Sequence, residues 1–430
     1  MSISKFGAVV LWCMLSTVCR ASAGGPINAG DTAWMLVATA LVLFMTLPGL
    51  AFFYGGLVRN KNVLSILMQC FALACLVSIA WCIGVYGLCF GNGGDFQAWI
   101  GLGHWFLGDV ARDSIAGTIP ETVYSMYQMT FAIITPALVI GGVAERMRFS
   151  AVLIFGALWL LLVYAPVCHW VWGGGWLMQR GILDFAGGTV VHVNAGVAAI
   201  VSALVIGPRK GFPESAMAPH NMTLVVAGAA MLWVGWFGFN AGSALAANGS
   251  AGMAMLVTHL AAAAGSLAWM GIEWFRYGKP SVLGLVTGMV AGLGTITPAA
   301  GFVSPGAALV IGLAVGIICY GATQFIKRIL KIDDSLDVFP VHGVGGVIGT
   351  LFAGVFASSA LGGVGFNAGV SMLEQVTVQF EGVIATATWC AVLTYMILKI
   401  VDRWVGLRVN PEDENEGLDL SDHGERAYSL

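Results

Sequence analysis

An all-α polytopic membrane protein is the fold class this sequence predicts, and three observations predict it. The chain is 58% hydrophobic and only 10% charged, against about 25% charged for an ordinary soluble domain. Its mean hydropathy is +0.86. The apolar residues gather into about eleven stretches of the length that a ~30 Å hydrocarbon core demands, separated by short polar connections.

In order, Lys5 precedes an apolar run over 6–18, and Ala21-Ser22-Ala23 follows it. The run is too short to span, so a removed signal peptide is expected over 1–23. A membrane domain is expected over 24–401 and a polar tail over 402–430. Within the domain, spans are predicted near 34–58, 63–90, 123–143, 151–169 and 189–206, then 222–242, 253–275, 283–299, 307–325, 341–356 and 378–401. The second carries Cys70, Cys75, Cys82 and Cys89, three of them at heptad spacing, read as buried thiols on one packed face. The eighth carries Gly284, Gly288 and Gly292, and the ninth Gly312 and Gly316, the small-residue spacing of close helix contacts within or between protomers.

The connections alternate in charge. Arg59, Lys61, Arg146, Arg148, Arg209, Lys210, Arg276, Lys279, Lys327, Arg328 and Lys331 fall on the side of the C-terminal tail, leaving Arg112 and Arg180 on the other. The positive-inside rule then places the N-terminus outside and the C-terminus in the cytoplasm, in agreement with an odd number of spans.

Two ionisable groups inside apolar runs stand out. Asp184 precedes the fifth span, which contains His192, and a second acid, Asp337, precedes the tenth, which contains His342. Each histidine follows a valine and stands four residues before a glycine, Gly196 or Gly346. An ionisable side chain at membrane depth costs about 2.5–3.5 kcal/mol on insertion scales, so such residues are functional candidates. Five spans invert the orientation of the next five. The order therefore predicts an inverted repeat of spans 1–5 and 6–10, plus one extra helix, with both histidines at the repeat interface. Two histidines without a third nearby ligand make a poor zinc site, and no metal or other cofactor is expected. No segment assembles a nucleophile, base and orienting group, so the chain does not read as an enzyme.

Trp172 lies at an outer boundary, Phe131 within the third span, and the sixth span ends at the outer boundary in Trp236-Phe237-Gly238-Phe239-Asn240-Ala241-Gly242-Ser243. Interfacial belts account for most tryptophans. A mouth of aromatic faces with a serine hydroxyl also suits a small cation, at about 0.5–2 kcal/mol per cation–π contact.

Ordered motifs then carry a resemblance. They are P-G-L-A-F-F-Y-G-G-L at 48–57, A-E-R-M-R-F-S at 144–150, the block 172–194, G-W-F-G-F-N-A-G-S at 235–243, T-P-A-A-G at 297–301, the His342 block, and the tail ending E-G-L-D-L-S-D-H-G-E-R-A-Y. The chain resembles bacterial members of the Amt/Mep/Rh family of ammonium transporters. The resemblance implies a homotrimer in the bacterial inner membrane, each protomer with its own pore for ammonium or ammonia, and a PII-class nitrogen regulatory protein docking on the cytoplasmic face. Membrane lipid is the other partner; no nucleic acid is expected. It also implies roles: Trp172, Phe131 and Ser243 in external recruitment, Phe131 and Phe239 as a gate, and His192 and His342 as a twin-histidine pore and proton relay. Asp184 would support the vestibule, with Tyr164, Trp236, Thr297 and Tyr127 as supporting positions. Tyr127 stands where phenylalanine is common, and Pro340 where relatives often have glycine. An ammonium sensor acting through the tail, and an electroneutral ammonia gas channel, are the alternative readings.

Overall fold

The computed structural model describes residues 26–428; the expected signal peptide lies outside the described residues. Among these, ten helices are long and apolar enough to cross a membrane: α1 Ala29–Leu57, α2 Asn60–Phe90, α3 Glu121–Gly142, α4 Phe149–Gln179, α5 Gly188–Ile206, α6 Met222–Gly242, α7 Gly249–Tyr277, α9 Pro305–Ile329, α10 Phe339–Phe356 and α11 Met372–Val405. The predicted eighth span is the shorter apolar helix α8, Val282–Ile296. At 15 residues it reaches about 22 Å, and it ends before the expected 283–299 does, with Thr297 as its C-cap. Outside the helices, β1 Ile115–Ala116 and β2 Ile119–Pro120 form a two-stranded antiparallel hairpin.

Short polar side chains cap the starts of α1, α7 and α11, serving N–H groups that lack a partner within the helix. Asn28 accepts from Gly30 N and Asp31 N at α1, Asn248 from Ser250 N and Ala251 N at α7, and Ser371 with Glu374 forms a reciprocal capping box at α11.

The glycine spacings are explained within one protomer. A side chain at Gly288 or Gly292 of α8 would strike the backbone of Gly265 or Ala261 on α7, and Gly312 and Gly316 of α9 meet the same two α7 residues. The small residues let α7, α8 and α9 close on one another.

The heptad reading of the α2 cysteines is corrected. Cys70 and Cys89 are buried, whereas Cys75 and Cys82 are exposed on the surface. A π-helical turn over Trp81–Val85 separates Cys82 from Cys89 and rotates the later residue inward.

The two predicted halves meet where α5 crosses α10. Gly196 lies against Gly343, Gly346 against His192, and Gly188 against Thr350, so the two helices run antiparallel. Both open on a π-helical turn that carries the histidine, Gly188–Val193 in α5 and Phe339–Gly343 in α10.

At the tail end of the bundle, buried charges lock four connections together. Arg209 grips Asp333 through Nε and Nη2, at 2.9 and 2.8 Å, and reaches Glu145 at 3.3 Å. Glu145 also pairs with Arg59 at 2.6 Å. The guanidinium of Arg146 donates to Gly207 O, Gly142 O, Asp333 O and Ser335 Oγ at 2.5–3.1 Å. Burial alone raises the Asp333 carboxyl, but its bonds to Arg209 and the charge of Arg146 hold it below the usual carboxylate range. Removing one partner of a buried pair strands the other, at a cost of about 3–5 kcal/mol. Asp333→Asn is therefore expected to lower the thermal unfolding midpoint of the detergent-solubilised protein clearly more than substitution of the exposed Glu381, which pairs with Arg180 at the opposite end.

Candidate functional site

The α5 entry is organised by Asp184. Its carboxylate accepts from Gly187 N, Gly188 N, Thr189 N and Thr189 Oγ1 at 2.5–2.8 Å, satisfying the donors at the start of the helix. Its own carbonyl accepts from Trp172 Nε1 at 2.8 Å. Asp184 thus fixes both the helix that carries His192 and the indole outside it.

The counterpart of Asp184 in the second half is not Asp337. Asp334 accepts from Phe339 N at 2.7 Å and caps α10, standing eight residues before its histidine as Asp184 does. Asp337 turns aside to pair with Lys327 at 2.8 Å. Burial and the neighbouring Asp337 push the Asp334 carboxyl up to about 6. Pro340 sits in the first turn of α10, where its missing N–H is not needed by the helix ladder, so it is accommodated without loss of a bond.

From the end of the bundle opposite the tail toward the histidines, the aromatic side chains form a chain of contacts. Trp172 meets Phe131 edge-on at 5.7 Å, and Phe131 overlies Phe239 at 4.2 Å with a tilt of 31°. Phe239 is 6.2 Å from the His192 ring. Trp236 stacks on His192 at 5.5 Å, its Nε1 donating to Thr297 Oγ1 at 2.9 Å, so Thr297 orients the indole from behind. Ser243 Oγ donates to Phe239 O at 2.8 Å. The Tyr127 hydroxyl lies within 3.2 Å of Gly238 O, Phe239 O and Ser243 Oγ. The hydroxyl that distinguishes Tyr127 from phenylalanine thereby ties α3 to the end of α6.

His192 and His342 meet edge to edge with ring planes 17° apart, ring centroids 5.2 Å apart and Nδ1 atoms 3.2 Å apart. One proton fits between the two Nδ1 atoms, so with both rings neutral one donates and the other accepts. Their Nε2 atoms then have opposite character, one carrying N–H and the other a lone pair. His192 Nε2 is buried and takes no hydrogen bond among the described residues, which marks it as a polar atom facing the lumen. The rings border an enclosed lumen whose other walls are apolar, among them Leu50, Phe53, Ile134, Val191, Leu232 and Phe239. Its cavity volume is about 10 Å³, close to the space of one water. On the tail side, His342 also borders a wider cavity of about 200 Å³ lined in part by Glu273, Lys327 and Asp337.

With this geometry in place, comparison with known proteins is decisive: the family model of the Ammonium Transporter Family matches residues 33–428. The chain belongs to this family. Similar proteins include the ammonium transporter of Aquifex aeolicus, 47% identical over 410 residues with 94% of each chain covered, and that of Bacillus subtilis, 45% identical over 409 residues with 94% of this chain and 99% of the relative covered. Among solved structures, a protein described as a sensor Amt protein matches with a TM-score of 0.86 at 32% identity, covering 92% of this chain and 98% of its own. Candida albicans Mep2 matches with a TM-score of 0.82 at 34% identity, covering 90% and 88%.

The site thus brings together eight of the residues singled out in the sequence: Trp172, Phe131, Phe239, Ser243, Tyr127, His192, His342 and Trp236. Asp184 and Thr297 hold them from outside the lumen. Tyr164 is fully buried at a π-helical turn of α4 and is not among the residues bordering the lumen. Sequence reading missed Glu121 and Tyr124, which line the outer approach to Trp172; a first-turn acid is common in any helix, so no pattern set Glu121 apart. Replacing the Asp184 carboxylate with an amide aims N–H at N–H. Asp184→Asn is expected to cost about 1–3 kcal/mol, read as a lower unfolding midpoint together with slower ammonium uptake, since the Trp172 anchor moves with it.

Proposed function

We propose that the protein takes up ammonium by binding the ion at Trp172, Phe131 and Ser243, removing its proton near the phenylalanine pair, and passing ammonia along His192 and His342, with the proton following separately. The observation that carries this reading is the imidazole pair itself, its free Nε2 set in an otherwise greasy lumen the width of one small molecule. Membership of an ammonium transporter family supplies the substrate.

Ammonium and potassium are near in size and equal in charge, so diameter cannot separate them. An intact ion in an apolar passage faces an idealised solvation cost on the order of 20 kcal/mol, which neutral ammonia escapes. Potassium has no proton to give up. Selection therefore falls to deprotonation, and the two rings offer a donor and an acceptor to the neutral molecule. Phe131 and Phe239, at 4.2 Å, leave no gap for a hydrated cation between the outer site and the lumen.

The membrane address follows the same reasoning. Basic connections gather at the end where the tail packs, so that end is assigned to the cytoplasm of a bacterial inner membrane. The homotrimer and the docking of a PII-class regulator on that face are carried over from the family resemblance.

In proteoliposomes on a solid support, an ammonium step is expected to evoke a transient current in the wild type and a potassium step none. His192→Ala, His342→Ala and the double variant are expected to gain a potassium current; potassium currents as small as wild type in all three overturn the selection scheme. An ammonium step without current, but with internal alkalinisation, identifies an electroneutral gas channel.

A sensing role is the second reading, favoured by the way the tail is held. Ser65 N donates to Asp419 at 2.8 Å, Leu418 N to Asn62 at 2.9 Å, and Arg408 pairs with Glu414 at 2.8 Å. Truncation before Asn410 separates the readings: retained uptake with loss of a nitrogen response indicates sensing, and loss of uptake indicates that the tail supports transport.

A further inference from the structure

Outside Trp172 lies a second chamber, of about 560 Å³, walled by Tyr86, Phe90, His104, Glu121 and Tyr124. It is a built space. The β1–β2 hairpin and the Ala244–Ala246 segment border it, and Asp31 clips both by accepting from Thr118 Oγ1 at 2.6 Å and Ala247 N at 2.8 Å. Phe90 meets Tyr124 edge-on at 5.3 Å and Tyr86 at 5.7 Å, so the aromatic wall is packed in place.

Glu121, the first residue of α3, brings the one carboxylate among the residues lining this chamber. Its Oε1 accepts from the Tyr86 hydroxyl at 2.9 Å, and Oε2 takes no protein donor among the described residues. The one histidine on the wall, His104, is engaged at 2.9 Å with Asp109. A fixed negative charge among aromatic faces, on the path to Trp172, concentrates small cations by Coulomb attraction and cation–π contact.

We propose that Glu121, Tyr86 and Tyr124 form an outer loading site for ammonium-type cations that feeds the Trp172 site. The proposal rests on the transport reading above. Its chemistry is reversible ion binding: Glu121 raises local ammonium occupancy and takes no part in deprotonation.

The test uses the full-length protein in proteoliposomes, with ammonium-evoked currents recorded across ammonium concentration at low and high ionic strength set by a bulky-cation salt. Glu121→Gln is expected to raise half-saturating ammonium about three- to tenfold at low ionic strength, to keep the maximal current, and to lose most of the salt dependence. Glu381→Gln removes a carboxylate from the same end of the bundle but away from the chamber, where Glu381 pairs with Arg180, and is expected to keep wild-type half-saturation and salt dependence. Wild-type behaviour of Glu121→Gln, a fall in its maximal current at unchanged half-saturation, or an identical defect in Glu381→Gln each overturns the loading site. Absence of any ammonium current in the wild type sinks the transport reading instead.

Discussion

Two imidazoles share a single hydrogen bond in a passage with almost no other polar atom, and the architecture is arranged around keeping them 3.2 Å apart. That distance is set by backbone, because Gly196 and Gly343 bring α5 and α10 into direct contact and any side chain at either would wedge them open. Trp236, stacked on His192 and fixed by Thr297, removes the remaining freedom of one ring. Asp184 and Asp334 then anchor the starts of the two helices that present them. Packing, capping and aromatic stacking converge on one geometry, and the neutral track for ammonia that we propose depends on it.

Much of this was legible in the chain. An ionisable residue among apolar neighbours carries its own cost, so His192, His342 and Asp184 announced themselves against the composition. The all-helical membrane fold and the pairing of the fifth and tenth spans followed from hydropathy and order, whereas the predicted eighth span is a shorter apolar helix. What escaped depended on local backbone. Asp337 read as the partner of Asp184 because it lies nearest to α10, yet the turn that precedes the helix swings it to Lys327 and brings Asp334 to the cap. The cysteine heptad failed for a similar reason, since one π-helical turn shifts every later residue around the helix axis. The basic residues were counted only for topology, and nothing in their spacing told that Arg146 would be buried as a hub for three connections.

The π-helical turns recur through the bundle, both at the site and away from it. They interrupt α1 at Met45–Leu50 and α4 at Leu160–Tyr164 as well as opening α5 and α10. Each inserts a residue into the ladder, loosens it locally and re-aims side chains that regular geometry would send elsewhere. In α1 the turn holds Pro48, whose ring could not sit in an unbroken ladder. Met45 and Leu50, at either end of that turn, face the lumen.

The tail contacts carry a consequence for how the molecule comes into being. Asn62 and Ser65 stand at the start of α2, and their partners Leu418 and Asp419 lie 356 and 354 residues further along the chain. Until that later segment has been made, the earlier groups must be served by water or by the insertion machinery. The tail end of the bundle is therefore closed only once residues 418 and 419 have emerged, and a chain terminated before them leaves the Ser65 N–H without this partner, open to cellular quality control.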